Sequence, residues 1–216
     1  VVVVAGAGEH FMAGGDLKDF AAHLHLSPES RLATFRAMVE QYINQSVEAL
    51  QALPVPVVAQ VRGACAGFGL SLVLGCDLVV AADSAYFTTA YASIALSGDG
   101  GVSWLAPRIL GRRKAFELLL LADRFDAAEA LRLGVVNRVV PAAELDVAVA
   151  DLLARILRGP GRTYGEIKGL LNASPDQSLG AQLQLEAEAF ARCTSRPDFD
   201  EGINAFLGKR KARFNG

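Results

Sequence analysis

Pro56 to Ala82 reads PVVAQVRGACAGFGLSLVLGCDLVVAA, and the order of residue types within it decides the fold. Val57 to Val61 is apolar and β-branched, as a strand is. Gly63, Gly67 and Gly69 then crowd a tight turn, and Leu70 to Gly75 is apolar but long enough only for a brief helix. Asp77 opens a second strand over Leu78 to Ala82. Strand, turn, helix and strand in that order deliver backbone N–H groups at a helix N-terminus, where their partial positive charge stabilises an anion.

The flanking sequence repeats the pattern. Val1 to Ala5 is a continuous β-branched run, expected of a strand buried on both faces. It leads into Gly6-Ala7-Gly8-Glu9-His10-Phe11, which starts like a dinucleotide fingerprint but has Phe11 where the third glycine belongs, so the turn reading is preferred. Phe11 to Leu17, FMAGGDL, is a second glycine turn entering a helix. Ser27-Pro28-Glu29 starts a helix with an N-cap, a proline in the first turn and an early acid. From there Leu32, Phe35, Val39, Tyr42, Ile43, Ser46, Val47 and Leu50 keep a helical stripe, read as core, until Pro54.

Beyond the central unit, Tyr86 to Thr89 reads as a strand, Ser97-Gly98-Asp99-Gly100-Gly101 as a loop and Ala115 to Ala122 as a helix. A helix capped by Asp126 stops at Gly134, and Val135 to Val140 returns as a strand. Repeated strand, turn and helix predict an α/β core of stacked units. From Pro141 onward the pattern is helical only, and Gly159-Pro160-Gly161 marks the boundary between a core over 1–158 and a helical region over 159–216.

With 52% apolar and 20% charged residues and a mean hydropathy of +0.30, the 216-residue chain is globular and core-rich. A net charge of -2 supplies no general attraction to nucleic acid or an acidic membrane, and no apolar run has membrane-spanning length. Arg112-Arg113-Lys114 and Lys209-Arg210-Lys211 are local basic clusters suited to a phosphate-bearing small molecule or to a solvated helix face. Cys65, Cys76 and Cys193 are odd in number and form no C-x-x-C pair, so free thiols in a reducing cytoplasm are expected. The chain opens in a strand without an initiator Met, so a preceding segment is expected to have been removed or left out.

No metal site is expected, because His10, His23 and His25 share no helix face with other ligands and read as solvent-side residues. Ser71 lacks the second glycine of a nucleophile elbow. The two glycine turns can each aim N–H groups at one oxygen, although tight turning alone explains glycines equally well.

FMAGGDL at 11–17 together with GACAGFGLSL at 63–72 and Cys76-Asp77 resembles the two-part signature of the enoyl-CoA hydratase/isomerase, or crotonase, family. The likeness continues through Ile94 to Gly101, Leu110-Gly111-Arg112, Ala127 to Val140 and Glu201 to Phe214, nearly the whole chain. It implies a crotonase-like spiral of ββα units with a C-terminal helical trimerisation region, without the family's N-terminal strand pair and helix. It also implies a cytoplasmic homotrimer or dimer of trimers acting on acyl-CoA thioesters in fatty acid metabolism, with coenzyme A entering as part of the substrate and no permanently bound cofactor.

By the same resemblance the oxyanion-hole donors fall on the N–H of Ala13 and of Phe68, where phenylalanine replaces the usual glycine or alanine. Coenzyme A would lie along Ala13, Gly14, Gly15 and Asp16, with Lys18, Arg112 and Lys209 near its phosphates. Phe68, Ser71, Tyr91 and Trp104 would line the acyl pocket. The hydratases' two glutamates fall at Ser71 and Tyr91, so hydration by that pair is disfavoured. Asp99, at the acid position of isomerases reading S-P-D-G-G or T-E-G-G, is the expected catalytic residue of a 3-enoyl-CoA to 2-enoyl-CoA isomerase, with Gly98 in place of the proline. A dehalogenase would need a histidine where Phe35 stands. A hydratase with altered groups and an inert acyl-CoA-binding homologue are the other readings.

Overall fold

The computed structural model describes residues 1 to 214, so the last two positions of the C-terminal region expected over 159–216 lie outside the described residues. In chain order the elements are β1 (Val2–Ala5), α1 (Leu17–Ala22), α2 (Pro28–Met38), a π-helical turn (Val39–Asn44), α3 (Gln45–Ala52), β2 (Val57–Val61), β3 (Ala64–Ala66) and α4 (Phe68–Leu74). They continue with β4 (Leu78–Ala82), β5 (Tyr86–Thr88), α5 (Val102–Leu110), α6 (Arg112–Leu121), β6 (Phe125–Asp126), α7 (Ala127–Arg132) and β7 (Arg138–Val140). Four helices close the chain: α8 (Leu145–Leu157), α9 (Gly161–Ala173), α10 (Leu179–Thr194) and α11 (Pro197–Leu207).

The described residues divide into two compact units. Val3–Gln51 with Val58–Ala148 forms one, and Val1–Val2, Ala52–Val57 and the chain from Val149 onward form the other. The larger unit is the α/β body. One sheet has the order β1-β2-β4-β7, with β2 parallel to β4 and β4 parallel to β7. The second has the order β3-β5-β6, parallel in its first pair and antiparallel in its second. Parallel neighbours need crossover connections, and α4 supplies one between β2 and β4.

Continuous apolar runs become fully covered strands. Val57, Val58, Ala59 and Val61 of β2 are all buried, as are Val79 to Ala82 of β4. Six of the seven residues of α4, Gly69 to Leu74, are buried as well, so this short helix is held by its surroundings and not by its own propensity. Thr88 and Thr89, polar yet buried, donate to the carbonyls of Ala122 and Leu118 at 2.8 Å each, tying the end of β5 to α6.

Three expectations change. β1 is not buried on both faces: its residues alternate between half-buried and exposed, because it stands at the end of its sheet's order. The glycine-rich turn contains a third strand, β3, because Ala64 to Ala66 finds β5 as a partner, a long-range pairing that local sequence does not encode. The stripe through α2 and α3 reaches the core only at its end, where Leu50 packs against it. Leu32 and Tyr42 are 68% and 66% exposed, and no residue of α2 is buried. The π turn breaks the 3.6-residue period on which the stripe was read.

In the smaller unit, Glu166 of α9 accepts from Arg192 of α10 at 2.8 Å and from Arg196 at 2.6 Å. Glu201 of α11 accepts from Arg210 through both carboxylate oxygens, at 2.7 and 2.8 Å, and from the Arg213 N–H at 2.7 Å. These bonds, the Arg210 guanidinium first, pull the Glu201 carboxyl down to about 2. A depressed carboxyl stabilises the folded chain fully above its unfolded value near 4.5 and ceases to do so as pH falls towards 2. In urea unfolding of Glu201→Gln and the parent chain, the midpoints should differ most above pH 4.5 and converge as pH approaches 2.

Candidate active site

The site begins where the first glycine turn is fastened to the second. The Phe11 N–H donates to the carbonyls of Arg62 and Ala64, and the Met12 N–H to that of Ala64, at 2.8, 3.1 and 3.1 Å. The Ala66 N–H answers to the Met12 carbonyl at 2.8 Å, pairing Met12 with Cys65 in parallel. Beyond this pairing both chains turn through glycines at positive φ, Gly14 at +99° and Gly67 at +54°. They nearly touch: a Cβ on Gly67 would lie 3.3 Å from the Gly14 Cα. Gly69 meets the same neighbour, since a Cβ there would lie 2.5 Å from the Met12 carbonyl oxygen.

Ala13 and Phe68 are the residues that these turns present next. Among the described residues neither the Ala13 N–H nor the Phe68 N–H has a hydrogen-bond acceptor. Phe68 opens α4, whose N-cap Gly67 provides no side-chain cap. Both residues line one cavity of about 480 Å³. Its walls are Met12 to Leu17, Asp19, Phe20, Met38, Ile43, Gly67, Ala90, Tyr91, Ser93, Ile94, Leu96 and Asp99, with no Lys or Arg among the described lining residues. Two unpaired donors on a mostly apolar cavity can meet an oxygen that gains charge, with no cation required.

Asp99 reaches this cavity from the loop before α5. Its Oδ1 accepts from the Tyr91 hydroxyl at 2.6 Å. Ser71, fully buried on α4, lies 2.9 Å from the same hydroxyl and donates to the Asp99 main-chain carbonyl at 2.9 Å. Burial, followed by the bond to Asp99, pushes the Tyr91 phenol well above its usual range, so it stays a neutral donor. Gly100 makes room for this packing: a Cβ there would lie 2.7 Å from the Phe68 ring and 2.9 Å from the Ser71 Cβ. Cys65, beneath the site, is fully buried, and burial pushes its thiol up, so it offers no thiolate.

Of the residues singled out from the sequence, Ala13, Gly14, Gly15, Asp16, Phe68, Tyr91 and Asp99 share the cavity wall. Ser71 stands behind it, reaching the site through Tyr91 and Asp99. Trp104 does not line it; its ring is 41% exposed and stacks on Arg108, 3.7 Å from the guanidinium carbon. Lys18 and Arg112 are exposed and off the cavity wall, and Lys209 belongs to the smaller unit. Asp16 is the N-cap of α1, accepting from the Lys18 N–H at 2.8 Å.

Met38, Ile43 and Phe20 join the wall from helices whose apolar positions had been assigned to core or left unassigned. Lining and core residues carry the same chemistry, so only the three-dimensional path separates them. His10, expected at the solvent side, is exposed but accepts from the Ala64 N–H at 3.1 Å through Nδ1, bracing the turn at Gly63.

Gly69→Ala should displace the Met12 carbonyl from α4 and destabilise the chain by about 1–3 kcal/mol in urea unfolding, as overpacked sites do. Gly169→Ala, exposed on α9 with open space around it, should instead be neutral or stabilise by up to about 1 kcal/mol.

Comparison with known proteins gives this geometry its context. The family model for enoyl-CoA hydratase/isomerase matches residues 1–216. The 1,2-epoxyphenylacetyl-CoA isomerase of Escherichia coli K12 is 35% identical over 215 residues, covering 100% of this chain and 80% of that protein. A 4-chlorobenzoyl coenzyme A dehalogenase of Arthrobacter sp. is 29% identical over 208 residues, covering 96% and 74%. The crystal structure of an enoyl-CoA hydratase from Polaromonas sp. JS666 superposes with a TM-score of 0.91 at 36% identity, covering 99% of this chain and 81% of that one. The two glycine turns, the α/β body that carries them and the match along the whole chain place this protein in the enoyl-CoA hydratase/isomerase, or crotonase, family.

Proposed function

We propose that this member of the family isomerises a 3-enoyl-CoA to a 2-enoyl-CoA. The observation that carries the reading is that two unpartnered N–H groups and the Asp99 carboxylate line a single cavity, whose other acids are Asp16, the N-cap of α1, and Asp19. Asp99 takes the proton from C2, the C2–H electrons pass into the thioester carbonyl, and the resulting dienolate oxygen rests on the Ala13 and Phe68 N–H groups. Asp99 then returns the proton to C4, leaving the double bond between C2 and C3. One such donor is worth about 3 kcal/mol in a transition state, and a positioned carboxyl adds about 10²- to 10⁴-fold.

The second acid that hydration calls for has no support at the expected positions, since Ser71 is a buried hydroxyl and Tyr91 a phenol held neutral. Relatives named as isomerase, dehalogenase and hydratase share the family's acyl-CoA chemistry, so the choice among reactions rests on these side chains. Coenzyme A, carried in with the substrate, lies along Ala13 to Asp16 in this reading, with the basic side chains of Lys18, Arg112 and Lys209 meeting its phosphates. Exposed apolar residues of the helical unit, Phe190 at 72%, Phe206 at 84% and Leu207 at 73%, support assembly into a homotrimer or dimer of trimers.

Asp99→Asn should lower turnover of a 3-enoyl-CoA by about 10²- to 10⁴-fold while acyl-CoA binding, followed by calorimetry, is kept. Undiminished turnover in that variant overturns the assignment. Loss of conjugated absorbance from a 2-enoyl-CoA would mark a hydratase instead, and tight binding of both substrates without turnover an inert binding protein.

A further inference from the structure

The hydrogen bonds around Asp99 divide its two carboxylate oxygens into unequal roles. Oδ1 is held by the Tyr91 hydroxyl at 2.6 Å, whereas Oδ2 has no hydrogen-bond partner among the described residues. The main-chain carbonyl of Asp99 is held separately, by the Ser71 hydroxyl at 2.9 Å and by the Val102 N–H at 3.2 Å. Ser71 and Tyr91 are themselves 2.9 Å apart, so the two hydroxyls and Asp99 close a ring.

Counting hydrogens sharpens this. A carbonyl and a carboxylate can only accept, so the Tyr91 hydrogen is committed to Oδ1 and the Ser71 hydrogen is shared between Tyr91 Oη and the Asp99 carbonyl. If a proton arrives on Oδ2, Oδ1 remains an acceptor and no bond in the ring has to change. Neither hydroxyl carries a charge, so neither one competes with Asp99 for the proton.

The backbone around the ring is set independently of it. The Tyr91 N–H donates to the Thr89 carbonyl at 2.8 Å, and the Tyr91 carbonyl accepts from Ile94 and Leu96 at 3.1 and 3.0 Å. Ala90, just before it, sits at φ +57°, a conformation that costs a non-glycine residue about 1 kcal/mol. Gly98 at φ +109° leaves the space for Val102: a Cβ there would lie 2.8 Å from Val102 Cγ1, while the Tyr91 ring would be in ordinary contact at 3.5 Å. Proline, locked near φ -65°, cannot occupy that position in this loop.

We propose that Tyr91 and Ser71 are positioning residues that fix Asp99 through Oδ1 and its main-chain carbonyl, so that Oδ2 alone takes up and returns the proton. The inference rests on the isomerase reading for its function, but the clamp itself is a property of the resting protein.

Two readouts test it. In Tyr91→Phe, kcat for 3-enoyl-CoA isomerisation should fall about tenfold to a hundredfold, the effect of losing one hydrogen bond to a charged group. KM should change by less than about twofold, because substrate binding does not use the Tyr91 hydroxyl in this arrangement. Ser71→Ala should lower kcat by a smaller factor. The infrared carboxylate band of Asp99, identified as the band lost in Asp99→Asn, should shift in Tyr91→Phe and stay in place in the exposed control Tyr42→Phe. If Tyr91→Phe does not fold, Ser71→Ala carries the same two measurements. An unmoved Asp99 band, or a wild-type kcat in Tyr91→Phe, overturns the proposal. If the parent chain fails to isomerise, a shifted band still upholds the clamp, and only the assigned reaction falls.

Discussion

The main-chain pairing of Met12 with Cys65 and Ala66 is the constraint on which the site depends. It joins segments some fifty positions apart and fixes the distance between two turns that could not otherwise find each other. Every feature of the cavity's donor end follows from it: the contact of Gly14 with Gly67, the seat of Gly69 against Met12, and the two N–H groups left without acceptors. Because both donors are backbone groups, side-chain changes at Ala13 or Phe68 leave them in place, and phenylalanine is tolerated where a smaller residue is usual.

The cavity carries acids but, among its described lining residues, no cation. In the proposed reaction, negative charge gained by a thioester oxygen would therefore be met by peptide dipoles, which need no counter-ion and no rearrangement. A lysine in the same place would also attract the acids, Asp16, Asp19 and Asp99, and lose its aim. Neutral donors avoid that competition, and the hydroxyls of Ser71 and Tyr91 extend the same economy of charge around Asp99.

Sequence made the central unit legible because β2, α4 and β4 are short, apolar and buried, so composition and burial coincide. Of the seven cavity-lining residues picked out beforehand, all but Tyr91 sit in glycine turns or beside them, where a motif survives as a contiguous string. The family resemblance implies Trp104 in the acyl pocket, yet its ring stacks on Arg108 four residues along α5. α5 itself was hidden by Pro107, which lies inside the helix. β3 could not be seen locally, since its partner β5 lies twenty residues away and three alanine- and cysteine-rich positions have no strand signature of their own. The helical stripe misled for a different reason: an apolar face next to a cavity looks the same in sequence as one next to a core.

The π turn over Val39–Asn44 bears on how the cavity wall is built. Met38 and Ile43, on either side of its start, both line the wall, and in a regular α-helix their spacing would set them at a different angle. A π turn is an α-helix with a residue to spare. Removing one residue there would restore the regular helix and reset the side chains between Met38 and Ile43 on the cavity wall, without touching either glycine turn. This apolar wall is thus set by a different part of the chain from the glycine turns and the Asp99 loop.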